Sequence, residues 1–186
     1  EASLLQSLVD ARASGRRPAP VVLLLDPREP PTAAVHWLID QHVMAGGSLG
    51  LFAGASSLPL RPLMGPWGLS MGDDVTPGTA TVPKSDVLPG LARLRIPEGV
   101  AATAGPEGLV TTAARRGEQP VLMALEGTIP SSIRRAEGPQ GAPESRTGSQ
   151  GAVRMMFGSA ALLRANPGTL ASAVDWLLDR RPTPPR

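Results

Sequence analysis

An α/β domain built on a mostly parallel sheet is the fold class this sequence predicts, and three observations predict it. Val21–Leu25 is an uninterrupted aliphatic run of strand length, residues 34–43 place apolar side chains at helical spacing, and Gly46-Gly47 separates that stretch from a second apolar run, Ser48–Ala53. Strand, turn, helix and strand within about 33 residues make a βαβ unit, whose crossover is expected to be right-handed. The chain of 186 residues is long enough for one domain with a substantial core. A single α/β domain over 1–186 is expected, with a mobile loop near 134–151 and a frayed tail after 179.

Each element follows from local chemistry. Leu4, Leu5, Leu8 and Val9 mark one face of a short amphipathic helix that stops before Gly15, and Arg16-Arg17-Pro18-Ala19-Pro20 is a stiff connector. Val21–Leu25 has no polar residue, which suits a parallel strand buried on both faces. Asp26-Pro27-Arg28-Glu29-Pro30-Pro31 then breaks the backbone. Proline fits a first helical turn but not a helix interior, so Pro30, Pro31 and Thr32 form a helix entrance. The helix presents Ala34/Val35, Leu38/Ile39 and His42/Val43, and Gly46-Gly47 caps its end. Residues 58–69 are apolar but carry Pro59, Pro62 and Pro66, which leaves room for one or two helical turns covering one face of the sheet. Residues 71–94 are turn-rich with no sustained period. Short strands are expected at 100–104 and 109–112, and clearer ones at 121–125 and 152–157. Gly158-Ser159 is expected to be a tight turn, and a last helix runs from Leu170 to Leu178. Residues 134–151 are rich in glycine and proline and poor in apolar side chains, the composition of a long loop.

Composition narrows the function classes. Eighteen basic against 16 acidic residues give a net charge of +2, and the sequence pI near 10.3 comes from arginine, since Lys84 is the only lysine. So small an excess is a weak footprint for nucleic acid, and 3% aromatic residues with no tyrosine make a poor stacking platform. No nucleic-acid partner is expected. Without cysteine there are no disulfides, thiolate nucleophiles or cysteine metal sites. No apolar run approaches the length of a membrane span.

The chemistry-bearing residues read as follows. His36 and Asp40 stand four apart on one helix face, opposite the apolar stripe, and are expected to be a surface pair facing water. His42, on the stripe side, is expected to be a partly buried structural histidine. With two histidines and no cysteine no metal site is expected, and Asp73-Asp74 are read as turn residues. Ser56, Ser57 and Ser159 are the candidate nucleophiles. None sits in Gly-x-Ser-x-Gly, and Phe157-Gly158-Ser159-Ala160 lacks the second glycine of a nucleophile elbow. Gly46-Gly47-Ser48-Leu49-Gly50 follows a helix rather than a strand and lacks the Lys-Ser/Thr of a phosphate loop. No cofactor is expected, and the chain is not expected to be an enzyme. A hydrolase pairing Ser56 or Ser159 with His36 or His42 is the least favoured reading.

The order of motifs carries a resemblance. A first strand delivers the turn Asp26 to Pro31, a helix follows, then Gly46-Gly47-Ser48-Leu49-Gly50-Leu51-Phe52. Much later come the strand at 153–157, Gly158 and Ser159, then Asn166, and a closing Asp175-Trp176-Leu177. This order, from Pro20 to Leu178, resembles the extracytoplasmic domain of the GldG-like auxiliary proteins of gliding-motility-associated ABC transporters. It departs in having no acid between Gly158 and Ser159. The resemblance implies a three-layer α/β sandwich similar to class I glutamine amidotransferase-like and flavodoxin-like domains. It also implies a non-catalytic accessory role through protein contacts, with the ABC permease and ATPase subunits as partners. The implied location is extracytoplasmic (periplasmic), tethered to the inner membrane in the full-length protein. The alternative is a module binding a small molecule, a sugar or a peptide, beyond the carboxyl ends of the strands. Its candidate ligands are Asp26, Arg28, Ser56, Ser57, Glu126, Thr128, Ser159 and Asn166.

Overall fold

The structure, a computed structural model, describes residues 21–133, 148–149 and 152–178. The predicted helix at 4–9, the tail after 179 and nearly all of the 134–151 loop lie outside the described residues. The elements run β1 (Val21–Leu25), α1 (Ala33–Met44), β2 (Ser48–Ala53), α2 (Arg61–Met64) between two 3-10 turns, β3 (Ser70–Asp74), β4 (Gly78–Thr81), β5 (Arg93–Ile96), β6 (Ala101–Ala104), β7 (Val110–Arg116), β8 (Gln119–Gly127), β9 (Val153–Ser159), α3 (Ala160–Ala165) and α4 (Pro167–Leu177).

The predicted βαβ unit is present. Asp26 leaves β1 in a left-handed conformation (φ 50°), which the short polar side chain of aspartate tolerates. Thr32 caps α1 by accepting a hydrogen bond from the Val35 amide. The helix ends in a Schellman arrangement: Gly46 takes φ 88° and donates to the Val43 carbonyl, while Gly47 donates to the His42 carbonyl, each at 2.9 Å. β2 then lies parallel to β1, with Leu23 opposite Gly50.

The fold class is corrected. The main sheet has seven strands in the order β1-β2-β9-β8-β7-β4-β5, and only the β1–β2 and β2–β9 pairs are parallel. The β9–β8, β8–β7, β7–β4 and β4–β5 pairs are antiparallel. The sheet curls into a half-barrel, and more of the described residues are strand (37%) than helix (27%). This is a mostly-β fold with a mixed sheet, not a three-layer α/β sandwich of the amidotransferase or flavodoxin kind. β3 and β6 pair separately as a two-stranded antiparallel sheet.

The physical reason for the difference lies in β8 and β9. Along β8, Met123 and Leu125 enter one core cluster while Leu122 and Ala124 enter another; along β9, Val153, Met155 and Phe157 enter the first cluster and Met156 the second. Apolar matter on both faces keeps β8 aliphatic from Val121 to Leu125 and β9 apolar from Val153 to Phe157 but for Arg154, whatever direction the neighbours take. Such a run reports burial on two sides, which parallel sheets usually need but do not own. The Val22, Leu49 and Phe157 cluster is covered by α1 and by 58–69, where Leu60, Leu63, Met64 and Trp67 are buried. The opposite cluster takes Leu162 from α3 and Ala173, Trp176 and Leu177 from α4.

Smaller differences follow. The 71–94 stretch holds β3 and β4 and runs into β5, and Asp73-Asp74 are exposed strand residues rather than a turn. Gly158 and Ser159 complete β9, and Ser159 leads straight into α3. The last helix starts earlier than expected, at Pro167, whose missing N–H is no loss at a first helical position.

Candidate functional site

The parallel strands β1, β2 and β9 bring Asp26, Gly54 and Ser159 to one end of the sheet. Asp26 Oδ2 there accepts a hydrogen bond from Arg164 Nη1 at 2.9 Å, an ion pair open to solvent on both sides. Its carboxylate lies over Gly54, where a Cβ would collide with it. Ser56 and Ser57 follow: the Ser56 hydroxyl accepts from the Leu58 amide at 3.2 Å, and Ser57 opens the 3-10 turn at Leu58–Leu60.

Glu126 and Thr128 do not join them. Because β8 is antiparallel to β9, Leu122 stands opposite Gly158 and Glu126 opposite Arg154. Four residues of extended chain separate these pairs, about 13 Å at the rise of a strand, so Glu126 and Thr128 lie toward the other end of the sheet. Glu126 there accepts from Arg154 Nη2 at 3.0 Å, while Nη1 of the same buried arginine donates to the Trp176 carbonyl and its guanidinium stacks 5.3 Å from the Trp176 ring centroid.

Two more of the predicted ligands serve the scaffold. Ser159 is buried, and its hydroxyl accepts from the Ala101 amide at 2.9 Å, tying the end of β9 to β6. The Asn166 side chain does the work of a strand. Its Oδ1 accepts from the Arg95 amide and its Nδ2 donates to the Arg95 carbonyl, both at 2.8 Å, which closes the outer edge of β5. Nδ2 also donates to the Leu162 carbonyl.

Arg28 alone of the predicted set lines the open groove of about 380 Å³ beside β1, with Leu23, Leu24, Leu25, Pro27, Glu29, Pro31, Val35 and Leu60. Its walls are aliphatic, and its charged side chains are one cation and one anion.

The pair expected to face water is instead half-buried at His36 and internal at Asp40. Asp40 is 1% exposed. Its Oδ1 accepts from the Ser132 amide and, at 2.8 Å, from the Ser132 hydroxyl; Oδ2 accepts from the Ser131 hydroxyl at 2.8 Å. The Ser132 proton is therefore directed at Asp40, so the contact of 3.0 Å between Ser132 Oγ and His36 Nε2 requires the histidine to donate. A His36 nitrogen that donates holds no lone pair toward that serine. The arrangement pins residues 131–132 to α1, and Trp67 Nε1 pins the adjacent Pro130 carbonyl at 2.9 Å. The spacing of His36 and Asp40 on one helix face gives no sign of the serines that hold them, Ser131 for Asp40 and Ser132 for both, 91 to 96 positions away.

His42 is buried as well, 3% exposed, with Nε2 donating to the Ser48 carbonyl at 3.0 Å and Nδ1 without a partner. Burial holds its pKa below the ordinary 6.5, against a smaller upward pull from the Ser48 carbonyl. Burial likewise lowers His36, against a smaller upward pull from Asp40. Protonating His42 would also place a second N–H where the structure offers no acceptor. The unfolded chain takes up these protons as pH falls through 6.5, and the folded chain does so only at lower pH, so stability is full above that value and declines below it. Urea midpoints are expected to fall between about pH 7.5 and about pH 5.5, with a smaller fall in the His42→Gln variant; equal falls would show that His42 is not the sensor.

Among the described residues no group of three or more His, Asp or Glu side chains is placed to hold a metal ion, and no helix is long and apolar enough to cross a membrane. No family model matches the chain, and no curated protein matches it. Among solved structures the chain is similar to one described as "mmIFT52 N-terminal domain", with a TM-score of 0.58 and 14% identity over 92% of this chain and 81% of that one. At that identity the likeness is one of fold.

Proposed function

We propose that this domain works through protein contacts, as an extracytoplasmic accessory domain of a GldG-like ABC transport system. Its partners are the permease and ATPase subunits, and a membrane-anchored parent protein carries it. The observation that carries the reading is where the polar side chains go. Asp26, Ser159, Asn166 and Glu126, which a ligand site would aim at one point, are directed to Arg164, Ala101, Arg95 and Arg154 of the same chain. The groove that remains is walled mainly by aliphatic side chains, with Arg28 and Glu29 as its charged groups, and none of the other candidate ligands converges on it. The order of motifs from Asp26 to Trp176 supplies the transporter context.

Deleting the domain from the parent protein is expected to abolish copurification of that protein with the permease–ATPase pair. Unchanged assembly and transport would overturn the proposal. Thermal-shift screening against sugars and short polar metabolites is expected to give no stabilisation; a saturable rise in melting temperature would favour the ligand-binding alternative.

A further inference from the structure

The two edges of the main sheet are treated differently. At one edge Arg95 has its outward amide and carbonyl taken by the Asn166 side chain, and β5 carries charged Arg93 and Arg95. Capping and charge of this kind keep an edge from recruiting another strand. At the other edge stands β1, and among the described residues no strand lies beyond it.

The direction of its free groups follows from the ladder. Asp26 donates to the Phe52 carbonyl at 2.8 Å, and alternate residues of a strand turn their backbone groups to the same side. Leu24 and Val22 therefore bond β2, while Val21, Leu23 and Leu25 turn N–H and C=O outward. The strand has no charge and no proline, and Leu25 is 47% exposed. Against this edge opens the apolar groove, walled by Leu23, Leu25, Pro27, Pro31, Val35 and Leu60.

We propose that β1 and its groove bind an extended peptide segment of another protein by strand addition. Outward backbone groups of Leu23 and Leu25 would pair with the peptide main chain, and alternate apolar side chains of the peptide would enter the groove. An aqueous small molecule does not match a row of main-chain donors and acceptors, whereas a strand does. A second copy could pair β1 with β1 across a two-fold, but each concave groove would then face another groove and stay unfilled, whereas a peptide strand fills both the backbone row and the groove. Arg28 and Glu29 contribute one charge of each sign, so the favoured peptides are apolar and near neutral. The inference stands without the transporter reading: a domain outside any transporter would bind a strand here in the same way.

The test uses a library of random peptides selected against the chain, with the Leu25→Pro variant as counter-selection. Proline at 25 removes an outward N–H and no ladder bond, so the variant is expected to fold, checked by circular dichroism. Enriched peptides are expected to alternate apolar residues, to slow exchange of the Leu23 and Leu25 amides while leaving the already bonded Leu24 amide unchanged, and to lose at least about ten-fold in affinity for Leu25→Pro, about 1.4 kcal/mol. N-methylation of the peptide backbone, which needs no change in the protein, is expected to abolish the protection. Four outcomes overturn the proposal: no enrichment over the variant, protection confined to other strands, slow exchange of Leu23 and Leu25 in the free chain, or a concentration-dependent dimer that protects them.

Discussion

Replacing Asp40 by alanine is expected to lower the unfolding free energy by about 3 kcal/mol, one of the two largest losses expected from a single polar or glycine substitution in this domain. The carboxylate is buried in the middle of α1, a position where aspartate is a poor helix former and where an unpaired charge could not be held. Its three donors explain its presence: the Ser132 amide and the Ser131 and Ser132 hydroxyls all aim at it. Alanine leaves the Ser132 amide buried with no acceptor, and each such orphan costs about 1–3 kcal/mol. The hydroxyls can turn to other acceptors, which keeps the total below the sum of three. Asp40→Asn separates hydrogen bonding from charge. An asparagine retains one acceptor for the Ser132 amide, and Ser131 can rotate to accept from the new amide, so a smaller loss of about 1–2 kcal/mol is expected. Urea unfolding of both variants checks this. Equal losses would assign the effect to charge, and a loss under about 1 kcal/mol in Asp40→Ala would mean that the segment at 131–132 is held by other contacts.

That network shows where sequence reading stops. The spacing of His36 and Asp40 on one helix face is legible from the order of residues, but the serines that bury them come from beyond β8, and no local pattern announces them. Local cues served well where the structure is local: the strand at Val21–Leu25, the proline entrance with Thr32 and the Gly46-Gly47 ending sit where short-range chemistry places them. But β1 stands at the sheet edge with only Val22 buried, not covered on both faces as its aliphatic run suggests. Sheet direction is not local, and the mainly apolar sequences of β8 and β9 carry no sign of it. Two signals did bear on direction. Gly117-Glu118 is a two-residue loop with Gly117 at φ 58°, joining Arg116 to its opposite number Gln119, a hairpin turn that forces β7 and β8 antiparallel. Arg93-Leu94-Arg95-Ile96 alternates exposed and buried, the pattern of an antiparallel strand with one wet face. The error in direction carried into the candidate site, because a parallel β8 would have brought Glu126 and Thr128 beside Asp26. Ser159 ends β9 and Asn166 joins α3 to α4, and the scaffold uses both polar side chains as substitutes for missing backbone partners.

Gly47→Ala is expected to destabilise the domain by about 3 kcal/mol, through a side chain rather than through the backbone. Gly47 lies outside the left-handed region, unlike its neighbour Gly46 at φ 88°, so alanine is conformationally admissible there. What it lacks is space. A Cβ at position 47 would overlap the Cε1, Nε2 and Nδ1 atoms of His42. That ring is buried, held by its bond to the Ser48 carbonyl, and packed among side chains that leave an added methyl to be absorbed by strain. A displaced ring also gives up the Ser48 carbonyl, so overpacking and a lost hydrogen bond act together. The mechanism makes a second statement that a backbone effect would not. In a His42→Ala background the methyl occupies the volume the ring has vacated, and Gly47→Ala is then expected to cost less than about 1 kcal/mol, a coupling of about 2 kcal/mol between two residues in contact. Gly46→Ala keeps its penalty of about 1 kcal/mol in either background, because that penalty resides in φ and not in the ring. Denaturant unfolding of the double-mutant cycle decides it: additive losses at 42 and 47 would show that the ring and the glycine do not share one space.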